Sequence, residues 1–333
     1  MFSAARSLLT VCLLAAACTG ASLPPAGAKE QALEIHSRAL PLRLDDPAAT
    51  SVGRLLWRGG LSMKANSRSF GGWSDLHVTA DGHTLTSISD QGAWFTASVD
   101  YDAKDNLAGL SGGRIGKLLG LDGQPLIDKA EADAEGMARL PDGSWLVSFE
   151  RRHRLWRYPT LSSTPVPFDG PADIDRQPTN GGIETLTALA DGRIIAISEE
   201  YSLRPGTLVG WIGTPSKTGR YEWQTFAYAK TPDFNPTAIA RLPDGSFATI
   251  ERAFDFIRGV RCRVMRFDAA ELRPGGTVHA QELAWLASPY TVDNLEGLAA
   301  TKGSRGETLL WLISDDNFNP LQRNVLLLFE LTP

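Results

Sequence analysis

Three features of the sequence predict an all-β chain folded as a β-propeller of five blades. A short hairpin-like unit flanked by acids recurs five times along the chain. Its Asp-Gly turns begin at Asp81, Asp142, Asp191 and Asp244, roughly 50–60 residues apart, with a fifth Gly-rich turn near 303–306. The last unit reaches the C terminus one strand short, while a strand-like segment at 54–63 precedes the first unit and belongs to none. Pairing that segment with the last unit closes the ring and removes its open edges. Six blades is the alternative, with 33–44 contributing to an incomplete sixth.

The first unit reads DLHVTADGHTLTSISD from Asp75 to Asp90. The second, EGMARLPDGSWLVSFE, runs from Glu135 to Glu150, and the third, ETLTALADGRIIAISE, from Glu184 to Glu199. The fourth, NPTAIARLPDGSFATIE from Asn235 to Glu251, has lost its first acid. The fifth, EGLAATKGSRGETLLWLISD from Glu296 to Asp315, has a longer turn. In each, two short apolar runs flank turn residues that favour a hairpin. The runs are nearly continuous, as in strands buried on both faces. Third strands are expected at 93–99, 155–158, 207–212, 262–267 and 325–331, and fourth strands at 117–121, 165–168, 223–229 and 282–286.

The chain has 333 residues, 43% hydrophobic and 21% charged, with a net charge of -5. That is an ordinary globular composition, and its acidic balance argues against a nucleic-acid partner. The domain at 33–333 is expected to be a monomer. Residues 1–18 form a targeting segment, with Arg6 ahead of an apolar run at 7–17 too short to span a bilayer. Leu14-Ala15-Ala16-Ala17-Cys18 resembles a bacterial lipoprotein signal, with Cys18 the lipidated residue, although Leu14 stands four places before the Cys rather than three. Ordinary cleavage after Ala28 is the alternative. Export is therefore expected, to the periplasm or as an outer-membrane-anchored lipoprotein, with secretion the alternative and an N-terminal lipid the only membrane contact. The Ala-, Gly- and Pro-rich stretch at 19–32 reads as a flexible tether. Beyond the signal only Cys262 is left, so the domain has no internal disulfide and relies on a large core.

A hairpin returns its two ends to one place. Glu135 therefore lies beside Glu150, Glu184 beside Glu199, Asp75 beside Asp90 and Glu296 beside Asp315. If the first strand of each unit is innermost, these pairs converge on one mouth of the central channel. So many facing carboxylates raise one another's pKa, and a divalent cation is the simplest compensation. The donors, with Asn235, Asn294 and Asn317, are all oxygens, which favours calcium first and magnesium second. The loss of an acid from the fourth unit puts such an ion off-axis, toward Glu135, Glu184 and Glu296. The alternative is that these acids pair with Arg151, Arg152, Arg252 and Arg323.

The second and third units, together with DNLEGLAA and LLWLISDDNFNP near the C terminus, resemble the "esterase-like activity of phytase" family of exported bacterial proteins. The resemblance spans about 54–331. It implies a propeller with acidic residues acting in phosphoester hydrolysis and, more distantly, a likeness to calcium-dependent propeller phytases, which have six blades. On this reading the substrate is a small anionic phosphoester. Glu135, Glu184, Glu296, Asp315, Asp75 and Asp90 are metal-ligand candidates; Glu150 and Glu199 are ligands or general base, and His153 is a candidate acid or base. Arg152 and Arg252 would hold phosphate. The competing readings are a non-catalytic propeller that binds a ligand or protein around a structural cation, and a propeller lactonase or carboxylesterase.

Three further signals fail. Gly109-Leu110-Ser111-Gly112-Gly113 matches G-x-S-x-G but lacks the strand and helix of a nucleophile elbow. Gly116-Lys117 lacks the rest of a phosphate loop. Trp94, Trp145, Trp156, Trp285 and Trp311 lie in expected strands and read as packing between blades, and His77 reads as structural.

Overall fold

The computed structural model describes residues 30–332. The signal segment, Cys18 and most of the tether lie outside the described residues. In the second blade Ala134–Arg139 runs to the turn at Asp142, whose carboxylate accepts from the Ser144 N–H at 2.9 Å, and Trp145–Phe149 returns beside it. Arg154–Tyr158 and Val166–Phe168 complete the sheet outward. The other blades repeat this order from inner strands Trp73–Val78, Ile183–Ala188, Asn235–Arg241 and Asn294–Lys302. The five inner strands pack side by side in a closed ring, so there are five blades.

Leu55–Ala65 pairs antiparallel with Asn324–Leu331 and closes the fifth blade, as expected. Residues 33–44 build no sixth blade. Gln31–Leu33 extends the outer edge of the first blade, and Ile35–Ala39 extends that of the fifth, so the segment staples the two neighbours. The tether accordingly ends earlier than expected, because Gln31 and Ala32 are already in strand. The fourth strand of the first blade is Leu107–Lys117, not 117–121. Its run of glycines and polar residues hides a strand that is half exposed at the blade edge. No helix among the described residues is long and apolar enough to cross a membrane.

Alternation of side chains explains the continuous apolar runs. In Trp145–Phe149, Trp145, Val147 and Phe149 enter the core shared with the first blade, while Leu146 enters the core shared with the third. Five such layers fill the five gaps between blades. Trp94, Trp145, Trp156 and Trp311 are buried in them, and Trp285 is half exposed on an outer strand.

Polar links tie neighbouring blades together near the mouth. Ser148 donates to Ile183 O at 2.6 Å, Thr185 to Pro236 O at 3.2 Å and Thr237 to Leu295 O at 3.0 Å. Gly297 permits the approach of the fifth blade to the first, since a Cβ there would lie 2.8 Å from the Asp75 carbonyl carbon.

Candidate active site

Every inner strand carries one bulge at the same height. The extra residue is Ser74, Glu135, Glu184, Thr237 or Glu296, read from the register shifts of the five hairpins. One step beyond the pair that precedes each bulge, the second strands carry Asp90, Glu150, Glu199, Arg252 and Asp315, of which Arg252 and Asp315 are still paired, with Asn235 and Asn294. The mouth is thus two stacked tiers of five positions, the first with three acids and the second with four acids and one arginine.

The structure draws the acids of the second and third blades together. Asp133, Glu135 and Glu150 each place an oxygen within 4.8 Å of the others, and Glu150, Glu184 and Glu199 do the same. Glu150 belongs to both groups, and its Oε1 accepts from the Gly182 N–H at 2.6 Å. Oε2 of Glu184 is buried and has no hydrogen-bond partner. Burial, then repulsion from Glu150, Glu184 and Asp133, raises Glu135 well above the usual carboxylate range. Burial, then Glu199 and Glu296, does the same to Glu184. Glu150 is pushed up to about 7, chiefly by burial. This donor set is all carboxylate oxygen, carries excess negative charge and leaves a buried lone pair unused, so it fits a hard divalent cation.

Glu296 and Asp315 lie on the other flank. Glu296 Oε1 accepts from Asn294 Nδ2 at 2.7 Å and stands 3.5 Å from Arg252 Nη2. Asp315 Oδ1 accepts from the Asn317 N–H at 2.5 Å. Arg252 also reaches Glu199 Oε1 at 3.5 Å, and Asn235 Nδ2 approaches the same oxygen at 3.4 Å. Glu251, the acid that ends the fourth unit, turns inward instead and accepts from the Tyr228 hydroxyl at 2.9 Å.

Four of the six expected ligands therefore fall outside the two groups: Glu296 and Asp315 on this flank, and Asp75 and Asp90. Asp75 is displaced one residue past the bulge; its oxygens accept from the Leu76 N–H at 2.7 Å and the Met137 N–H at 2.6 Å, tying the first blade to the second. It lines a cavity of about 190 Å³ that opens toward the turn end of the channel, with His77, Arg139 and Arg241. His77 there packs edge-on to Trp145, and burial lowers its pKa to about 4. Asp90 pairs with Lys129 at 2.7 Å.

Sequence reasoning missed Asp133 and Lys129, while Arg151 was expected as a partner of the acids. Lys129 bridges Asp90 and Asp133, and Arg151 Nε meets Asp133 Oδ2 at 2.6 Å. The signal was present in the spacing, because Asp133 and Glu135 stand two apart at a strand start and so share a face.

Beside the acids lies a cavity of about 390 Å³ lined by Arg151, Arg152, His153 and Arg154, with Asp175 its one acid. Arg152 is largely exposed and pairs with Glu131. His153 Nε2 contacts Pro178 O at 2.9 Å, while its Nδ1 is buried and unpartnered. A Cβ on Gly182 would meet Glu150 Cγ and His153 Nδ1, each at 3.0 Å, so the bare backbone there lets the imidazole and Glu150 flank one point.

Comparison with solved structures returns distant likenesses. The α-L-arabinofuranosidase from Podospora anserina is 13% identical, with 84% of this chain and 97% of that chain covered and a TM-score of 0.48. The endo-arabinase from Bacteroides thetaiotaomicron is 11% identical over 78% of this chain and 94% of that chain, with a TM-score of 0.47. A virginiamycin B lyase from Staphylococcus aureus is 10% identical over 89% and 99%, with a TM-score of 0.41. Likeness at this level assigns no chemistry. No curated protein sequence matches the chain. A family model described as phytase-like, esterase-like activity of phytase, matches residues 68–318. That match takes in all five inner hairpins and most of the chain, and the protein belongs to the esterase-like activity of phytase family.

Proposed function

We propose that the acidic mouth is the active centre of an exported, divalent-metal-dependent hydrolase of phosphoric esters, with calcium its first-choice ion. The observation that carries this reading is the convergence of Glu135, Glu150, Glu184 and Glu199 around Glu150, with a buried Glu184 oxygen left unpartnered. Family membership supports ester hydrolysis, and the hard oxygen donors support calcium or magnesium.

Asp133, Glu135, Glu150 and Glu184 would hold the ion. Once bound, a divalent cation polarises a phosphoryl oxygen and lowers the pKa of a coordinated water. Glu199 stands at the edge of the ligand group, fixed by Asn235 and Arg252, and is placed to accept a proton from an attacking water. Arg252 is committed to Glu199 and Glu296, so anion binding falls to the basic cavity, where Arg152 and His153 face the acids from one side. Arg154 stacks on Phe149 and Trp156 and shapes the floor.

The test is hydrolysis of an aryl phosphate monoester, an aryl phosphodiester and phytate by purified protein, with calcium, magnesium or chelator, beside a lactone and a carboxylic ester. Metal-dependent cleavage of a phosphate substrate is expected. Cleavage only of the lactone or carboxylic ester, or none with any metal, overturns the reading.

A further inference from the structure

We infer that the mouth face is also a docking face for a lipid surface, led by the hairpin of the fourth blade. Phe247–Asp255 and Gly259–Phe267 continue their pairing past Arg252 to Asp255 opposite Gly259. At about 3.4 Å per residue the tip stands roughly 10 Å beyond the acid tier. In the first and second blades the chain turns back directly after Asp90 and Glu150 instead.

The tip is apolar and unpartnered. Phe256 is 98% exposed and Ile257 96%, with Phe254 half exposed and in edge contact with Phe256 at 5.4 Å. The turn is built rather than loose. Asp255 accepts from the Ile257 N–H at 3.0 Å and the Arg258 N–H at 2.7 Å, and it pairs with Arg258 at 3.0 Å and Arg261 at 2.9 Å. Its one carboxylate is therefore neutralised where it would oppose insertion. Ile127, Leu203 and Leu321 add exposed apolar side chains in loops of the same face. Large exposed apolar side chains gathered on one face mark an interaction surface.

The start of the chain identifies the partner. Gln31 pairs with Ile115 and Leu33 with Gly113 on a strand that rises toward the mouth, so the chain enters the described fold at this face. The lipoprotein-like Cys18 precedes residue 30 in the sequence by a chain length of at most roughly 40 Å at 3.3–3.6 Å per residue. A lipid there would hold this face toward its membrane. Exposed Arg258 and Arg152 suit anionic headgroups, and apolar tips with flanking cations are the signature of interfacial binding. The projecting hairpin keeps the acid tier off the surface, leaving space for a small substrate to enter.

Residues 30–332 hold all five blades and all five cores, so a chain beginning at residue 30 tests the face without any lipid anchor. Sedimentation with vesicles of phosphatidylethanolamine and phosphatidylglycerol should pull it down, with at least tenfold weaker binding for Phe256→Ser/Ile257→Ser and an unchanged thermal midpoint. Phe256→Trp should shift its emission to the blue on adding the same vesicles. No vesicle binding, binding indifferent to the double substitution, or a dimer in sedimentation that the double substitution dissolves would each overturn the inference. These readouts involve no turnover, so they stand apart from the fate of the proposed activity.

Discussion

Arg252 Nη2 stands 3.5 Å from Glu296 Oε1, in the position of the fourth blade that an acid occupies in every other blade. Burial alone would lower the pKa of this guanidinium, but Glu296, Glu184 and Glu199 together raise it above its usual value. The protein thereby supplies a fixed cation to one flank of its own acid ring. The opposite flank, around Glu135 and Glu150, has Lys129 and Arg151 only against Asp90 and Asp133, and on the proposed reading takes its cation from solution.

Arg252→Gln should therefore do two things at once. Without metal it strands Glu199 and Glu296, and removing one partner of a buried ion pair costs about 3–5 kcal/mol; some exposure of the arginine puts this case near the low end. Urea unfolding in chelator should show that loss. In calcium the emptied flank becomes a second oxygen site, and calorimetry should count more ions per chain than in the parent.

Stability without metal should fall as pH rises. Burial pushes Glu150 and Glu296 up to about 7 and, with repulsion from Glu296, Asp315 up to about 9. Unfolded carboxyls titrate near 4, so between these values the folded state binds more protons than the unfolded one. Stability is then full below the unfolded pKa and declines through the folded pKa, by up to about 1.4 kcal/mol per pH unit per group. Thermal midpoints in chelator should drop from about pH 5 to pH 9, and excess calcium should flatten the profile. A flat profile in chelator would mean that the acids are compensated internally.

The blade count, the closing strand and most of the acid ring were legible because Asp-Gly turns and apolar alternation are local signals, visible at Asp142 or Asp191 without any tertiary knowledge. What was hidden is the single-residue bulge. It makes Ser74, not Asp75, the counterpart of Glu135 and Glu184, each seven residues before its turn aspartate; matching the units by their acids concealed that one-residue offset. In the fourth unit Arg252, not Glu251, stands eight residues past the turn aspartate, as Glu150 and Glu199 do in theirs. The strand at Leu107–Lys117 stayed hidden for another reason: an outer strand with one solvated face needs no apolar run.

Glu184→Gln should separate function from stability. It removes a charge that burial and repulsion by Glu199 and Glu296 disfavour, so the metal-free protein should melt higher than the parent. The same change deletes a ligand, and losing even a supporting partner of a metal ligand typically costs about 10–100-fold, so phosphoesterase activity should fall at least about 100-fold. A variant that melts lower and keeps its activity would return Glu184 to a purely structural role.

Asp75→Asn should give the opposite pattern. Asp75 is fully enclosed, and burial raises its pKa well above the usual range even though two backbone N–H groups favour its charged form. Both oxygens are acceptors for those groups, one in its own blade and one at Met137 in the next. An asparagine keeps one acceptor and turns an NH2 toward the other donor. Leaving that buried N–H unpaired costs about 1–3 kcal/mol. Calcium stoichiometry and turnover per folded molecule should not change, because neither oxygen faces the Glu150 cluster. Weakened calcium binding in Asp75→Asn would place the ion on the channel axis, beneath the mouth, rather than against the second and third blades.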